Sequence, residues 1–289
     1  MSAGPQAAWL PDGRRLHLHH GPIDLIIDAH GPGRPAALDA ARARFEGVLD
    51  GLVAVLPTLR RPVSAAPETP HPEDSVARRM IAAVRPHAAL VVTPMAAVAG
   101  AVADEILAAM RQAPGLTKAY VNNGGDIALH LSPGETFRAA APAGAIRLDA
   151  EDPARGLATS GWRGRSRSLG IADAVTVVAA SAAAADVAAT LVANAVDLPG
   201  HPAIARTPAN ALDDDSDLGD RPVTTAVGPL APAETAQALA RGAARAARFI
   251  ETGDILEAAL LLNGTIRTAP DASPLRRVRV VEGAGFEPA

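Results

Sequence analysis

An aspartate and a threonine stand four residues apart late in the chain, at Asp186 and Thr190. Periodicity predicts a helix over 182–195, with Ser181 as its cap. Four residues of a helix turn about 400° and rise about 6 Å, so both side chains share one face. A carboxylate and a hydroxyl are hard oxygen ligands that suit Mg²⁺. The spacing is therefore consistent with a magnesium site, although a helix can carry both residues with no metal role.

A glycine turn joins two predicted strands at Asn122-Asn123-Gly124-Gly125-Asp126. Paired glycines between strands are typical of a hairpin turn that requires positive φ. The missing side chains would also let a ligand approach the backbone closely. The sequence leaves both interpretations open.

A short polar segment combines small residues, an indole and three guanidinium groups: Thr159, Ser160, Gly161, Trp162, Arg163, Arg165 and Arg167. If the segment is extended, its alternate arginines face one side. They could then hold a diphosphate through forked hydrogen bonds. A solvated edge strand protected by charge is the alternative. Trp162 could stack on a flat ring, but a buried tryptophan is the commoner outcome.

The elements that must position these residues change in kind along the chain. Helical spacing predicts early helices over about 37–56, 73–84 and 96–111. Strands dominate later, at 118–121, 127–131, 137–141, 145–148, 157–160, 166–169 and 174–180. A further helix is predicted over 234–251 and a last strand within 256–267. Early helices followed by strands in hairpin order favour an α+β fold over alternating βαβ units.

Composition sets further limits on the class of protein. The 289 residues are 48% hydrophobic and 20% charged, which is typical of a globular chain. Cysteine is absent, so disulfides, thiolate metal sites and a cysteine nucleophile are excluded. A net charge of −4 and an aromatic fraction of 2% argue against a general nucleic-acid binder.

The chain shows no sign of membrane insertion. The most apolar segment, 88–103, is shorter than the roughly 20 residues that a bilayer span needs. The first residues contain no apolar signal region. We therefore expect a cytoplasmic protein.

We expect the chain to form one domain over 1–268, with lobes at about 14–115 and 116–268, followed by a C-terminal tail over 269–289.

The order of these motifs resembles the ApbE superfamily, whose known members include the FAD:protein FMN transferases. The resemblance covers about 14–268 and is closest to a soluble, uncharacterised branch. The segments that carry it are residues 96–105, N-G-G-D at 123–126, A-T-S-G at 158–161, V-T-V-V-A at 175–179 and A-D-V-A-A-T at 185–190.

The resemblance implies an α+β fold of two linked T-fold-like halves with antiparallel strands and packed helices. It also implies that Asp186 and Thr190 are the catalytic, Mg²⁺-binding side chains, with a backbone carbonyl near Val98 as a third ligand. The implied pocket for FAD includes Asn123, Gly124, Gly125, Asp126, Thr159, Ser160 and Gly161, with Arg163 and Arg167 expected to hold the diphosphate.

The chain departs from the family pattern in two places. Ala99 stands where the family carries a lysine, and the family's H-I-x-D-P segment is replaced by the shorter run 165–173.

Two hypotheses about function follow. The protein is a Mg²⁺-dependent enzyme that transfers FMN from FAD to an acceptor protein or cleaves the diphosphate of FAD. The alternative is a non-catalytic flavin or nucleotide binding protein.

Overall fold

The computed structural model describes residues 4–64, 72–90 and 92–270, and the backbone of 278–279. Most of the predicted tail 269–289 lies outside the described residues. The strands are β1 (Gln6–Trp9), β2 (Leu16–His20), β3 (Ile23–His30), β4 (Lys118–Asn123), β5 (Asp126–Leu131), β6 (Thr136–Ala141), β7 (Gly144–Asp149), β8 (Gly156–Ser160), β9 (Ala174–Ala179), β10 (Ile204–Pro208), β11 (Pro222–Val227), β12 (Glu257–Leu262) and β13 (Thr265–Ala269), and the pair Val278–Arg279 adds to β7. The helices are α1 (Arg34–Phe45), α2 (Val48–Ala54), α3 (Leu56–Leu59), α4 (Ser75–Val84), α5 (Val98–Met110), α6 (Ala182–Ala195) and α7 (Pro232–Glu251), and a 3₁₀ turn, Pro94–Ala97, leads into α5.

A nine-stranded sheet organises the fold. Its order is β1-β2-β3-β4-β5-β8-β9-β12-β13, and every neighbouring pair runs antiparallel. Strands β2 to β5 form one half, in which a hairpin, a group of helices and a second hairpin follow one another. Strands β8, β9, β12 and β13 repeat this arrangement around α6 and α7. The fold is therefore α+β, with two linked T-fold-like halves, as the resemblance implies.

The sheet is continuous across the predicted lobe boundary near residue 115. That position falls between α5 and β4, and β4 pairs along its whole length with β3. The two halves of the sheet meet further on, where β5 and β8 pair at Ile127 with Leu157 and at Ala128 with Gly156. The division into lobes at 14–115 and 116–268 stays a prediction.

The two central helices cross on one face of the sheet. Helix α5 packs against β4 and β5, and α6 packs against β8 and β9. A Cβ atom added to Gly100 of α5 would lie 2.2 Å from the carbonyl oxygen of Ala182 of α6. Because real Cβ atoms do not approach backbone that closely, this crossing requires glycine. It brings the first turns of the two helices together.

The opposite face of the sheet is covered by the β6–β7 hairpin. Leu129, Leu157 and Val178 point from the sheet into a core that the hairpin closes with Ile146 and Leu148. Alternate residues of β5, β8 and β9 therefore face either the helices or this hairpin.

The predicted helix over 37–56 is divided into α1, α2 and α3. Gly47, with φ of 78°, adopts a left-handed conformation between the first two. The apolar period continues through the break, so the period alone predicts one long helix. Strands β1, β10 and β11 are not predicted by the alternation of apolar residues.

Two predicted strands are also wrong in detail. Residues 162–170, which include the predicted strand 166–169, form turns and bends. Alternating arginine and serine offer no apolar face to pack, so pairing gains little there. The single strand predicted within 256–267 is the hairpin β12–β13, which turns at Asn263 and Gly264, both with positive φ.

Candidate functional site

The first turns of α5 and α6 are capped reciprocally by aspartates of the other helix. Asp104 of α5 accepts hydrogen bonds from the backbone N–H groups of Ala182 (3.1 Å) and Ala183 (2.9 Å) of α6. Asp186 of α6 accepts one from the N–H of Gly100 of α5, at 3.0 Å. Each carboxylate thus satisfies orphan donors at the positive end of the opposite helix.

A third carboxylate, Asp126, faces the same crossing. It shares a side of β5 with Ala128, which is buried in the core beneath α5. Its Oδ1 accepts a hydrogen bond from the backbone N–H of Thr159 at 3.3 Å. Asp126 and Asp186 are near enough for the charge of the first to affect the second. The glycine turn, the T-S-G segment and the helix aspartate are therefore brought together in space.

Burial raises the pKa of all three aspartates, and repulsion by neighbouring carboxylates adds to the shift of Asp186. Burial raises the pKa of Asp126 to about 7, against a smaller opposing effect of the Thr159 N–H. Burial also raises the pKa of Asp186 well above its usual range, and the charge of Asp126 raises it further. Burial raises the pKa of Asp104, while its two backbone donors oppose the shift. Raised pKa values mark carboxylates whose negative charge is poorly compensated.

No arginine, lysine or histidine in the described part of the chain forms an ion pair with Asp126 or Asp186. A divalent cation would supply the missing positive charge, and oxygen donors of this kind suit Mg²⁺. Within the described residues no group of three or more His, Cys, Asp or Glu side chains is arranged to hold a metal. A cation here would therefore rely on two carboxylates together with neutral oxygens and water.

The other predicted ligands lie on the same two helices. Thr190 is one turn beyond Asp186 on α6, half-buried, and its hydroxyl has no hydrogen-bond partner within the described ranges. Val98 is the first residue of α5. The backbone N–H groups of Ala99 and Gly100, which follow it, face Asp186. Ligation by Thr190 and by a carbonyl near Val98 stays a prediction.

The glycine turn is tied directly to α5. Gly124 and Gly125 have φ values of 64° and 113° and form the two-residue loop between β4 and β5. Asn122 Oδ1 accepts a hydrogen bond from the Gly125 N–H at 2.8 Å. The side-chain amide of Asn123 donates to the carbonyl of Ala99 at 3.1 Å. Asn123 thus braces the turn against the helix start, while the glycines leave the backbone uncovered.

The T-S-G segment approaches the site mainly through its backbone. The hydroxyl of Thr159 lies 2.9 Å from that of Thr176, on the hairpin side of the sheet, so this side chain points away from Asp126. Ser160 alternates onto the helix side and is half-buried. A Cβ on Gly161 would lie 2.5 Å from the carbonyl oxygen of Asp173, which accounts for the glycine there.

The three arginines do not form the predicted extended row. Arg163 donates from Nε to Asp173 Oδ1 at 2.6 Å, and its guanidinium lies 4.6 Å from the ring centroid of Trp162. Arg167 is exposed, with no ion pair to any described residue. Arg165, to which the sequence assigned no separate role, has its Nη1 3.4 Å from where a Cβ of Gly124 would stand.

Sequence reasoning also missed Asp104 as a functional residue. The acidic pair Asp104-Glu105 in the small-residue run of α5 is a signal that could have found it, since such charges must be satisfied when buried. Its partners lie 78 and 79 residues away along the chain, so no local pattern identifies them.

Comparison with known proteins gives the following similarities. The profile of the family described as AbpE bacteria matches residues 7–268. The UPF0280 protein of Archaeoglobus fulgidus is 42% identical over 106 residues, which is 36% of this chain and 45% of that protein. The UPF0280 protein of Methanothrix thermoacetophila is 41% identical over 113 residues, 36% of this chain and 46% of that protein. The chain thus spans about half the length of the curated relatives it matches.

Among solved structures, that of the Pseudomonas stutzeri flavinyl transferase ApbE, in its apo form, aligns with 93% of this chain and 96% of its own. The identity is 14% and the TM-score is 0.40.

Within the described ranges, no helix is both long and apolar enough to cross a membrane.

Proposed function

Because the chain belongs to the family described as AbpE bacteria, we propose that it binds FAD together with Mg²⁺ and acts on the diphosphate of that dinucleotide. Membership of this family confirms the resemblance to the ApbE superfamily. The proposed reaction transfers FMN to a hydroxyl of an acceptor protein or to water. The new bond forms between that oxygen and the FMN phosphorus, the phosphorus–oxygen bond of the diphosphate breaks so that AMP leaves with the bridging oxygen, and the proton of the hydroxyl passes to solvent.

The observation that carries the proposal is the pair of carboxylates at the helix crossing. Burial raises the pKa of both groups, the charge of Asp126 raises that of Asp186 further, and no described cationic side chain pairs with either. A structural role would be served as well by neutral side chains, whereas two poorly compensated carboxylates favour a cation.

Different residues of the chain orient the two carboxylates and supply a further oxygen donor. The N–H of Gly100 orients Asp186, and the N–H of Thr159 orients Asp126. Thr190 contributes a hydroxyl from the next turn of α6. When bound, Mg²⁺ would neutralise negative charge on the diphosphate oxygens and on the departing AMP. The remaining contribution of the protein is to hold the reacting groups in place.

The glycine turn supplies the proposed floor of the nucleotide pocket. Gly124 and Gly125 present backbone without side chains, and Asn123 fixes that backbone to the start of α5. The flavin nucleotide and, for transfer, an acceptor protein are the proposed partners. A cytoplasmic location and the lack of nucleic-acid binding remain predictions.

The test is release of AMP and FMN from FAD with Mg²⁺, with and without candidate acceptor proteins. We expect Asp186→Asn and Asp126→Asn to lower the rate at least 100-fold, because each removes a negative oxygen donor; loss of one well-placed electrostatic group costs on the order of 10²–10³. Asp39→Asn, at an exposed position on α1, is the matched control and should retain the wild-type rate. A wild-type protein without turnover under all of these conditions would remove the enzymatic proposal.

Binding without turnover is the second candidate function. It is favoured by Ala99, which replaces the family's lysine, and by the helix-capping bonds that already engage Asp186. In that case the purified protein should bind FAD and leave it intact on incubation with Mg²⁺. Thermal stabilisation by neither FAD nor Mg²⁺ would contradict both candidates.

A further inference from the structure

The loop over 162–170 carries three arginines in different electrostatic surroundings. The charge of Arg163 is balanced by Asp173, and its guanidinium lies over the ring of Trp162. Arg165 and Arg167 are both exposed, and no carboxylate of the described residues forms an ion pair with either. The loop therefore presents two uncompensated positive charges.

Both ends of this loop are anchored. The N–H of Trp162 donates to the carbonyl of Ala172 at 3.0 Å. The N–H of Leu169 donates to Oδ1 of Asn194 on α6 at 2.9 Å. Because both ends are fixed to the second half of the sheet and its helix, the middle of the loop has a defined place near the site.

Arg165 extends from the middle of the loop to the glycine turn. Its Nη1 lies 3.4 Å from where a Cβ of Gly124 would stand, so the guanidinium lies beside the open face of the turn. Asp126 follows two residues later, as the first residue of β5. The turn thus has an unpaired guanidinium against it and unpaired carboxylates just beyond it. A ligand that is anionic and also binds a divalent cation satisfies both kinds of group.

We propose that Arg165, rather than Arg163 or Arg167, binds phosphate groups of the nucleotide at the glycine turn. Guanidinium groups suit this role because their planar fork matches two phosphate oxygens. The inference rests on the proposed function, since a flavin nucleotide is the ligand considered. It assigns to one residue the contact that decides affinity for the phosphorylated part of that ligand.

The test compares the dissociation constant of FAD, in the presence of Mg²⁺, for the wild-type full chain, Arg165→Gln, Arg165→Lys and Arg167→Gln. We expect Arg165→Gln to weaken binding about tenfold or more, the range for a lost charge-assisted hydrogen bond. Arg165→Lys should recover part of the loss, because it keeps the charge without the fork. Arg167→Gln removes the same charge from the same exposed loop and is therefore the matched control. Its dissociation constant for FAD should stay within about twofold of the wild type.

Thermal unfolding of each variant checks that the fold is retained, which is expected for exposed side chains. Equal FAD affinity of the wild type and Arg165→Gln would overturn the inference and leave the proposed function standing. Equal losses of FAD affinity in Arg165→Gln and Arg167→Gln would also overturn it, because they would show that the net positive charge of the loop, and not one arginine, determines the affinity. A wild type that does not bind FAD would contradict this inference and the proposed function together.

Discussion

At the scale of single residues, the site depends on carboxylates held by backbone donors. Asp126 is fixed by the N–H of Thr159, and Asp186 by that of Gly100. These bonds orient the two groups without neutralising them, since backbone amides carry no net charge. When these groups ionise, their negative charge is poorly compensated, which is the chemical basis for a cation site and has a measurable cost when no cation is present.

That cost predicts a pH dependence of stability in metal-free protein. The pKa of Asp126 rises from 3.8 to about 7 on folding, so the folded state binds its proton more tightly than the unfolded state. The stabilising effect is complete below 3.8 and is lost as the pH rises through about 7. We expect wild type with EDTA to lose on the order of 2 kcal/mol of unfolding free energy across this window, allowing for solvent screening.

The measurement is denaturant unfolding at a series of pH values. Asp126→Asn should flatten the dependence and be the more stable protein at pH 8, while Asp39→Asn on exposed α1 should follow the wild type. Identical pH profiles for wild type and Asp126→Asn would show that Asp126 ionises freely, contrary to the account.

At the scale of elements, the site exists because two helices cross with almost no side chain between them. Gly100 lies against the backbone of Ala182 and Ala183, and Asp104 caps the helix that these residues begin. The same contact places the Gly100 N–H on Asp186. The close packing of the two helices therefore also fixes the geometry of the site.

Gly100→Ala should separate the helices, because the added Cβ would lie 2.2 Å from backbone that cannot move aside alone. We expect a loss of about 2–3 kcal/mol in unfolding free energy, measured by urea denaturation, as for overpacked cores. Gly4→Ala is the control, since a Cβ there meets nothing within 4 Å. Unchanged stability of Gly100→Ala would mean that the crossing is looser than described.

Local patterns predict most of these elements but not how they meet. The Ser181 cap, the helix carrying Asp186 and the glycine turn follow from short-range rules, and the structure contains all three. The crossing at Gly100 and the position of Arg165 beside Gly124 join residues far apart in the sequence, so no period or spacing reveals them. The β12–β13 hairpin is different, because its Asn-Gly turn is a local signal that the apolar run obscured.

At the scale of the whole molecule, the candidate site lies where the two halves of the fold join. Asp126 and Gly100 belong to the first half, while Thr159 and Asp186 belong to the second. Strands β5 and β8 pair over a short length there, at Ile127 and Ala128. A bound cation would add a bridge at this joint. The family resemblance places the motifs in order, but the joint itself depends on the assembled sheet.

The most direct measurement is a crystal structure grown with Mn²⁺ in place of Mg²⁺, with anomalous scattering used to locate the ion. We expect an anomalous peak between the carboxylates of Asp126 and Asp186, with the hydroxyl of Thr190 nearby. The same crystals of Asp186→Asn should lack that peak. A wild-type structure with no anomalous density there, in which Asp186 bonds to the Gly100 N–H and to no metal, would contradict a cation site at the helix crossing.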